Sequence, residues 1–388
     1  MFDAVIVGAR CAGAAAALLL ARAGARVLLV DRGAYGTDTL STHALMRGAV
    51  MQLHRWGVLP AIVAAGTPPV RSTTFSYTGH DLTVPIDSRH GVDALYAPRR
   101  ALLDRILVDA AIAAGAEVRY GVHVDDVIRD AGGRVRGIAT ATDGLRRVFN
   151  ADLVIGADGL YSTIAQRVEA PTVVEGRHAA AVLYSYWEGV RVNGYYWSFR
   201  ANASIGAIPT NDGSTCVFAS VPRRRFASEA RGQASSAYRQ WIREVSPDID
   251  RQLEGARQVE TVRGFGGRPG FIRRSTGPGW ALVGDAGYFK DPLTAHGITD
   301  ALRDAELLVR AVARGTTGAL ADYEATRLEL SRRLFEVTDE VASFTWTDDQ
   351  VQSLHREFSR EMAREVRALA ALESLPCLSR PASVPLAV

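Results

Sequence analysis

The stretch Asp3–Arg32 constrains this chain more than any other. An apolar run, Ala4-Val5-Ile6-Val7, ends in Gly8. Arg10, Ala12 and Gly13 then open an alanine- and leucine-rich segment, and a second apolar run from Val27 closes on Asp31 and Arg32. Strand-length apolar runs flanking a helix-length run of small residues predict a βαβ unit. Gly8 permits the tight turn after the first strand, and Gly13 lets helix and sheet approach closely. The helix N-terminus presents free N–H groups and a positive dipole end to a pyrophosphate. Asp31 stands 23 residues beyond Gly8, where a strand-end carboxylate can accept from ribose hydroxyls. Arg10 replaces the usual middle glycine, so either the backbone stands off from the phosphates or the guanidinium neutralises them. Together these features predict a dinucleotide site.

Composition narrows what surrounds that site. The 388 residues, 47% hydrophobic, suffice for two or three domains with large cores. A net charge of +3 sets up no strong field for nucleic acid or an anionic membrane. Cys11, Cys216 and Cys377 are far apart and odd in number, with no Cys/His cluster at metal-ligand spacing, so neither a metal nor a disulfide framework is expected. No apolar run reaches the ~20 residues that span a bilayer, and the N-terminus lacks a signal-peptide pattern. A soluble, cytoplasmic protein is expected, with no nucleic-acid partner and no stable membrane insertion.

Along the chain, helices are expected over 44–56, 101–114, 228–245, 297–314, 320–344 and 348–373. Thr347 with Gln350 forms a capping-box pattern ahead of the last of these. A hairpin is expected over 71–86 and further strands over 117–120, 124–129, 135–142 and 151–155. Alternating stretches over 178–187, 195–208 and 215–221 point to a separate sheet, and the residues from Pro376 read as a loose tail. Near the other end of the chain, Trp280–Val283 delivers Asp285, beside Gly284, to a strand end, repeating the logic of Asp31. Asp291-Pro292-Leu293-Thr294-Ala295-His296-Gly297-Ile298 then leads into a helix, whose first N–H groups would stabilise a cofactor that becomes anionic on reduction.

In order and spacing, Gly8–Gly13 with Asp31, the Gly156-Ala157-Asp158-Gly159 turn, and Gly284-Asp285 with Asp291-Pro292 and Gly297 resemble a known set. They are similar to the FAD-dependent monooxygenases of the para-hydroxybenzoate hydroxylase fold and their geranylgeranyl-reductase-like and flavin-halogenase relatives, over residues 1–345. The resemblance implies an α/β fold: a discontinuous Rossmann-like FAD domain (1–70, 98–170 and 276–345), an inserted β-rich substrate domain (71–97 and 171–275), and a C-terminal helix and tail (346–388). It implies FAD with its pyrophosphate on Gly8, Arg10, Ala12 and Gly13, and its adenosine ribose on Asp31 beside Arg32. The ribityl chain would meet Asp285 beside Gly284, and the flavin's pyrimidine edge would meet the segment from Pro292 through Thr294 and Gly297 to Ile298. Arg100, in Arg100-x-x-Leu103-Asp104-x-x-Leu107, matches an FAD-contacting arginine. Val124 would lie near adenine, and His43 and Arg47 would flank the isoalloxazine. Asp158 and Gly159 would support the cofactor fold and, in some relatives, nicotinamide nucleotide binding.

Two departures bear on activity. Ala165 stands where the Asp-Gly motif usually continues to arginine, so electrons could come from NAD(P)H or from a separate flavin reductase. The halogenase lysine after the second strand is absent, Lys290 being the only lysine, and halogenation is not expected. Tyr184, Tyr186, Trp187, Tyr195, Tyr196, Trp197 and Phe199 place seven aromatics in 16 residues on two strands expected to be adjacent. Tyr184, Tyr186, Tyr196, Trp197 and Phe199 are read as the wall of a pocket for a hydrophobic or aromatic small molecule, though each alone would serve equally as sheet core. His43 and His296 are the candidate general bases. The expected activity is hydroxylation or epoxidation of an aromatic or polycyclic molecule with O2 through a flavin peroxide. The alternative is reduction of an isoprenoid or other unsaturated substrate; a non-catalytic flavoprotein ranks third.

Overall fold

A computed structural model describes residues 1–142, 145–316, 318–375 and 377–378. The tail expected to be loose from Pro376 lies outside the described residues except for Cys377 and Leu378.

The βαβ unit forms as its pattern dictates: strand Phe2–Val7, helix Cys11–Arg22 and strand Val27–Asp31, the strands parallel with Ala4 opposite Val27. Every residue of the helix from Cys11 to Ala21 is buried. Small side chains let it lie between the sheet and the helices Arg100–Ala113 and Gly297–Arg314. A Cβ on Gly13 would come within 1.8 Å of the Gly8 carbonyl oxygen, so only glycine permits this approach of helix to strand. The sheet runs Thr276–Gly277, Trp280–Leu282, Leu145–Gly156, Phe2–Val7, Val27–Asp31 and Glu117–Tyr120, and all neighbours after the first pair are parallel. The carboxyl ends of these strands thus collect Gly8, Asp31, Gly156 and the Val283–Asp285 segment along one edge. Strands Val124–Arg129 and Val135–Thr142 join it as an antiparallel extension on the long strand Leu145–Gly156, which starts earlier than the expected 151.

The second sheet has the order Arg257–Gln258, Ala180–Glu188, Ser214–Pro222, Ala203–Pro209, Tyr195–Arg200, Ser72–Tyr77 and His80–Pro85, with Arg263–Phe265 also on Ala180–Glu188. Its strands therefore come from two separate stretches of chain. Alternation divides its residues. Tyr184 and Tyr186 face the main core, while Leu183 and Trp187 pack with Tyr238, Trp241 and Ile242 of helix Ala234–Val245. The helix expected over 228–245 is shortened to Ala234–Val245, with Arg223–Glu229 before it and Pro247–Gly255 after it, the Ser246 cap and Pro247 starting the last. The helix expected from Ala44 begins at Arg47, because Leu45 is held in a β-bridge to Tyr96.

Helices Ala319–Val341 and Asp348–Ala370 complete the chain, and the Thr347–Gln350 capping box forms. No described helix is long and apolar enough to cross a membrane.

Candidate cofactor cleft and adjoining cavity

Two helix N-termini and two acids meet the carboxyl edge of the first sheet. No side chain caps the first turn of Cys11–Arg22 or of Gly297–Arg314, so both leave N–H groups open to an acceptor. Asp31 is held by the N–H groups of Ala9 and Gly33, each at 2.7 Å, which aims its carboxylate and leaves further lone pairs for a ribose. Arg32 is exposed beside it.

Asp285 is half-buried and accepts no hydrogen bond among the described residues. Burial pushes its pKa up to about 6, against the opposing pull of the Arg100 guanidinium. A buried carboxylate without a donor is costly unless something with hydroxyls meets it, which is the requirement of a polyol chain. The residues present therefore fit FAD, with open donors at the helix ends and an open acceptor at Asp285.

Arg10 does not simply point at a phosphate. Its guanidinium donates to the Thr37 carbonyl at 2.6 Å and to Asp104 at 3.0 Å, tying the Thr37–Asp38 loop to helix Arg100–Ala113. Asp104 also accepts from Arg100, one turn before it, and from the Cys11 thiol at 3.1 Å. Burial pushes that thiol's pKa up, which leaves it unreactive. Gly284 takes a left-handed φ of 57° and packs against Ala12, while its N–H donates to Asp304.

Asp158 is a cap. Its carboxylate accepts from the Ser162 hydroxyl and from the N–H groups of Thr163 and Ile164, starting helix Thr163–Arg167 just after Gly159. Ala165 is buried in that helix. Val124 is half-buried at the start of its strand.

The segment after Asp285 is fixed from behind. Asp291 accepts from the Leu293 and Ala180 N–H groups, so it anchors the loop to the second sheet, and burial pushes its pKa up to about 7. Pro292 starts a short 3-10 turn, Thr294 pairs with Thr338, and Ala295 takes a left-handed φ of 48° before Gly297 and Ile298 begin the helix. Behind it lies a buried ionic cluster in which Asp300 meets Lys290 and Arg303, and Arg303 also meets Asp304 and Glu365. His296, Asp300 and Glu365 lie close enough to hold a metal, but Lys290 and Arg303 already neutralise those carboxylates.

Next to the Leu293–His296 segment a cavity of about 790 Å³ opens between the second sheet and helix Asp348–Ala370. Phe75, Tyr77, Tyr195, Trp197 and Phe199 wall it from the sheet and Phe358 from the helix. Arg47 stands at its rim, donating to the carbonyls of Asp87 at 2.7 Å and Val92 at 3.2 Å, which pins the Asp87–Val92 loop.

The expected aromatic wall is thus divided. Trp197 and Phe199 line the cavity, but strand alternation puts Tyr195 there and turns Tyr196 to the opposite face. Tyr184 and Tyr186 do not line it. Their strand, expected to neighbour Tyr195–Arg200, is separated from it by two strands, roughly 14 Å across the sheet. They meet the loop before Arg47 instead: the Ser41 N–H donates to Tyr184, and His43 Nε2 shares a short hydrogen bond with the Tyr186 hydroxyl.

His43 is buried at φ 66° under the pull of Arg99 and Arg100. Burial first, then those cations, hold its pKa down to about 3, so the ring is neutral. His296 is 1% exposed, lines the cavity and bonds Glu365. The cavity-lining His90 and His355 and the whole contribution of the last helix escaped sequence reasoning. The amphipathic pattern of that helix showed that one face is buried, without showing against what.

Residues 1–338 match the family described as "FAD binding domain". The chain belongs to this family. Among its relatives, FixC of Salmonella typhimurium is 30% identical over 231 residues, 57% of this chain and 50% of that protein, so the match spans half of the relative's length. Digeranylgeranylglycerophospholipid reductase of Methanothrix thermoacetophila is 27% identical, over 83% of this chain and 82% of its own. The 6-methylpretetramide 4-monooxygenase of Streptomyces rimosus is 28% identical, over 78% and 73%. The flavin-dependent brominase Bmp2 superposes with a TM-score of 0.78 at 17% identity, over 97% of this chain and 94% of that one, and shares the fold. The expectation of a flavoprotein with the para-hydroxybenzoate hydroxylase type of α/β fold is met.

Proposed function

We infer that this FAD-binding-domain protein is a monooxygenase that hydroxylates or epoxidises an aromatic or polycyclic small molecule. The observation that carries the reading is the aromatic-walled cavity of about 790 Å³ that ends on the Leu293–His296 segment. A cavity of that size with a mostly apolar surface and polar groups among its lining suits a drug-sized planar ligand.

FAD would be held by the first-turn N–H groups from Cys11 to Gly13, by Asp31 with Arg32, and by Arg100, Asp285 and the Pro292–Ile298 segment. Bound there, it would supply two-electron chemistry and the reduction of O2. The chain's own part is to bind and orient. Trp197 and Phe199 would stack the substrate, Phe358 and the last helix would keep water out, and His296 would hold or take a proton beside the cavity. Neutral His43, with Tyr186, would hold a second proton site farther along the same aromatic face of the second sheet, separated by two strands from the cavity wall. Asp158, committed to capping, is a poor nucleotide ligand, which favours a separate reductase over direct NAD(P)H binding.

A second reading, reduction of an isoprenoid or other unsaturated lipid, is favoured by the aliphatic residues Leu82, Val84, Ile86, Met362 and Val366 on the same cavity. The test is a flavin spectrum of the purified protein, anaerobic mixing with NADH, NADPH or a flavin reductase, and then turnover under isotopically labelled O2. Label in the product supports the monooxygenase. Reduced product without label selects the reductase, and no flavin after addition of FAD overturns both.

A further inference from the structure

His296 sits where the Pro292–Thr294 turn meets helix Gly297–Arg314, and it forms part of the cavity wall. Its Nε2 lies 2.7 Å from Glu365 Oε2 on helix Asp348–Ala370, while Nδ1 is buried without a hydrogen-bond partner. An ionised carboxylate only accepts, so in the neutral ring Nε2 carries the hydrogen and Nδ1 carries a lone pair. Burial would raise the pKa of Glu365, but the His296 hydrogen bond and the Arg303 and Lys290 cations hold it below its ordinary value. Glu365 cannot turn away, because its other oxygen accepts from Arg303 at 2.7 Å. The remaining groups facing the ring are Asp300, 4.0 Å from Nε2 and itself neutralised by Lys290 and Arg303, and the edge-on Phe358. Every polar atom of this arrangement is accounted for except Nδ1. A buried acceptor without a partner, on a side chain that lines a cavity, calls for a ligand that donates to it.

We propose that Glu365 is a positioning residue. Reaching in from the C-terminal helix, it holds His296 in the Nε2–H tautomer so that Nδ1 accepts a hydrogen bond from a hydroxyl or N–H of the cavity ligand. This rests on reading the cavity as a ligand site, and not on which redox reaction follows. Where the donor is an acidic hydroxyl, its proton passes to Nδ1, leaving an oxyanion on the ligand and an imidazolium paired with Glu365.

The test uses FAD-reconstituted protein carrying isotope-labelled histidine, with 1-naphthol and naphthalene as probes. The His296 ring signals are identified by their loss in His296→Phe. The expected result at about pH 8 is the Nε2–H tautomer, with Nδ1 moving on addition of 1-naphthol and staying put with naphthalene. By equilibrium dialysis, the 1-naphthol to naphthalene affinity ratio should fall about tenfold in Glu365→Gln and in His296→Phe, while naphthalene binding alone is retained. A purely structural role for Glu365 would weaken both probes alike. The proposal is overturned by an Nδ1–H tautomer in the unaltered protein, by an Nδ1 indifferent to bound 1-naphthol, or by an unchanged ratio in the variants. If Glu365→Gln does not fold, the spectra of the unaltered protein and the His296→Phe ratio decide. If neither probe binds, the cavity reading itself fails and takes the proposal with it. The outcome with labelled O2 bears on neither result.

Discussion

The Tyr77 hydroxyl lies 2.7 Å from Nδ1 of His355, joining the hairpin strand Ser72–Tyr77 to helix Asp348–Ala370 beside the cavity. His355 also packs on Phe199 with ring centroids 4.2 Å apart, so one imidazole links two sheet strands to the helix that walls the ligand site. Tyr77→Phe keeps the ring and leaves the imidazole nitrogen without its partner. The expected cost is about 1 kcal/mol in urea unfolding, together with weaker binding of apolar probes. An unchanged midpoint and unchanged binding would mean that the helix is held by other contacts.

Stability should depend on pH in two opposing senses. Burial holds His43 and His355 down to about 3, below their ordinary value of 6.5. Between those values the unfolded chain binds more protons than the folded one, so stability rises with pH through this window and is lost on acidification. Asp285 and Asp291 are pushed up by burial to about 6 and about 7 from 3.8. In their window the folded state binds more protons, so their contribution falls as pH rises. Urea midpoints of flavin-free protein should therefore show a flatter acid limb in His355→Phe and a smaller decline toward neutral pH in Asp291→Asn. A pH profile identical to that of the parent in both variants would contradict the assignment.

Asp104 gathers Arg10, Arg100 and Cys11, and so links the turn after the first strand to helix Arg100–Ala113. Its removal takes from two guanidinium groups the carboxylate they share. Asp104→Ala is expected to cost about 3–5 kcal/mol in urea unfolding and to weaken FAD binding in a fluorescence titration, with Asp104→Asn less severe. A cost under about 1 kcal/mol would show that solvent already compensates these arginines.

Ala363 faces the cavity from the last helix and is exposed. Ala363→Trp should fill part of the ligand volume without disturbing the core. Naphthalene affinity should drop at least about tenfold, while the thermal midpoint moves by no more than about 2 °C. Retained affinity would place the ligand site elsewhere.

Much of the framework was legible because it is written in local patterns. Apolar period and glycine placement sufficed for the Asp3–Arg32 unit, for strands Glu117–Tyr120, Val124–Arg129 and Val135–Thr142, and for the bounds of helix Gly297–Arg314. The Thr347–Gln350 box was readable for the same reason, since its partners are three residues apart. Where reading failed, the deciding partner was distant. Arg10 shares its guanidinium with Asp104, 94 residues on, a contact that no local pattern records. Tyr184 and Tyr186 looked like cavity residues because adjacency in sequence implied adjacency in the sheet, and two later strands pair in between.

By itself, the sequence determined the dinucleotide-binding scaffold, the acids at its strand ends and the presence of an aromatic-rich second sheet, since each follows from residue type and spacing within one or two elements. Tertiary structure alone decided which aromatics line the cavity, that the last helix closes it, and that Glu365 meets His296 across 69 residues and His355 meets Tyr77 across 278. Those contacts arise when separate apolar faces are buried together, and no local period in the chain records which face will meet which.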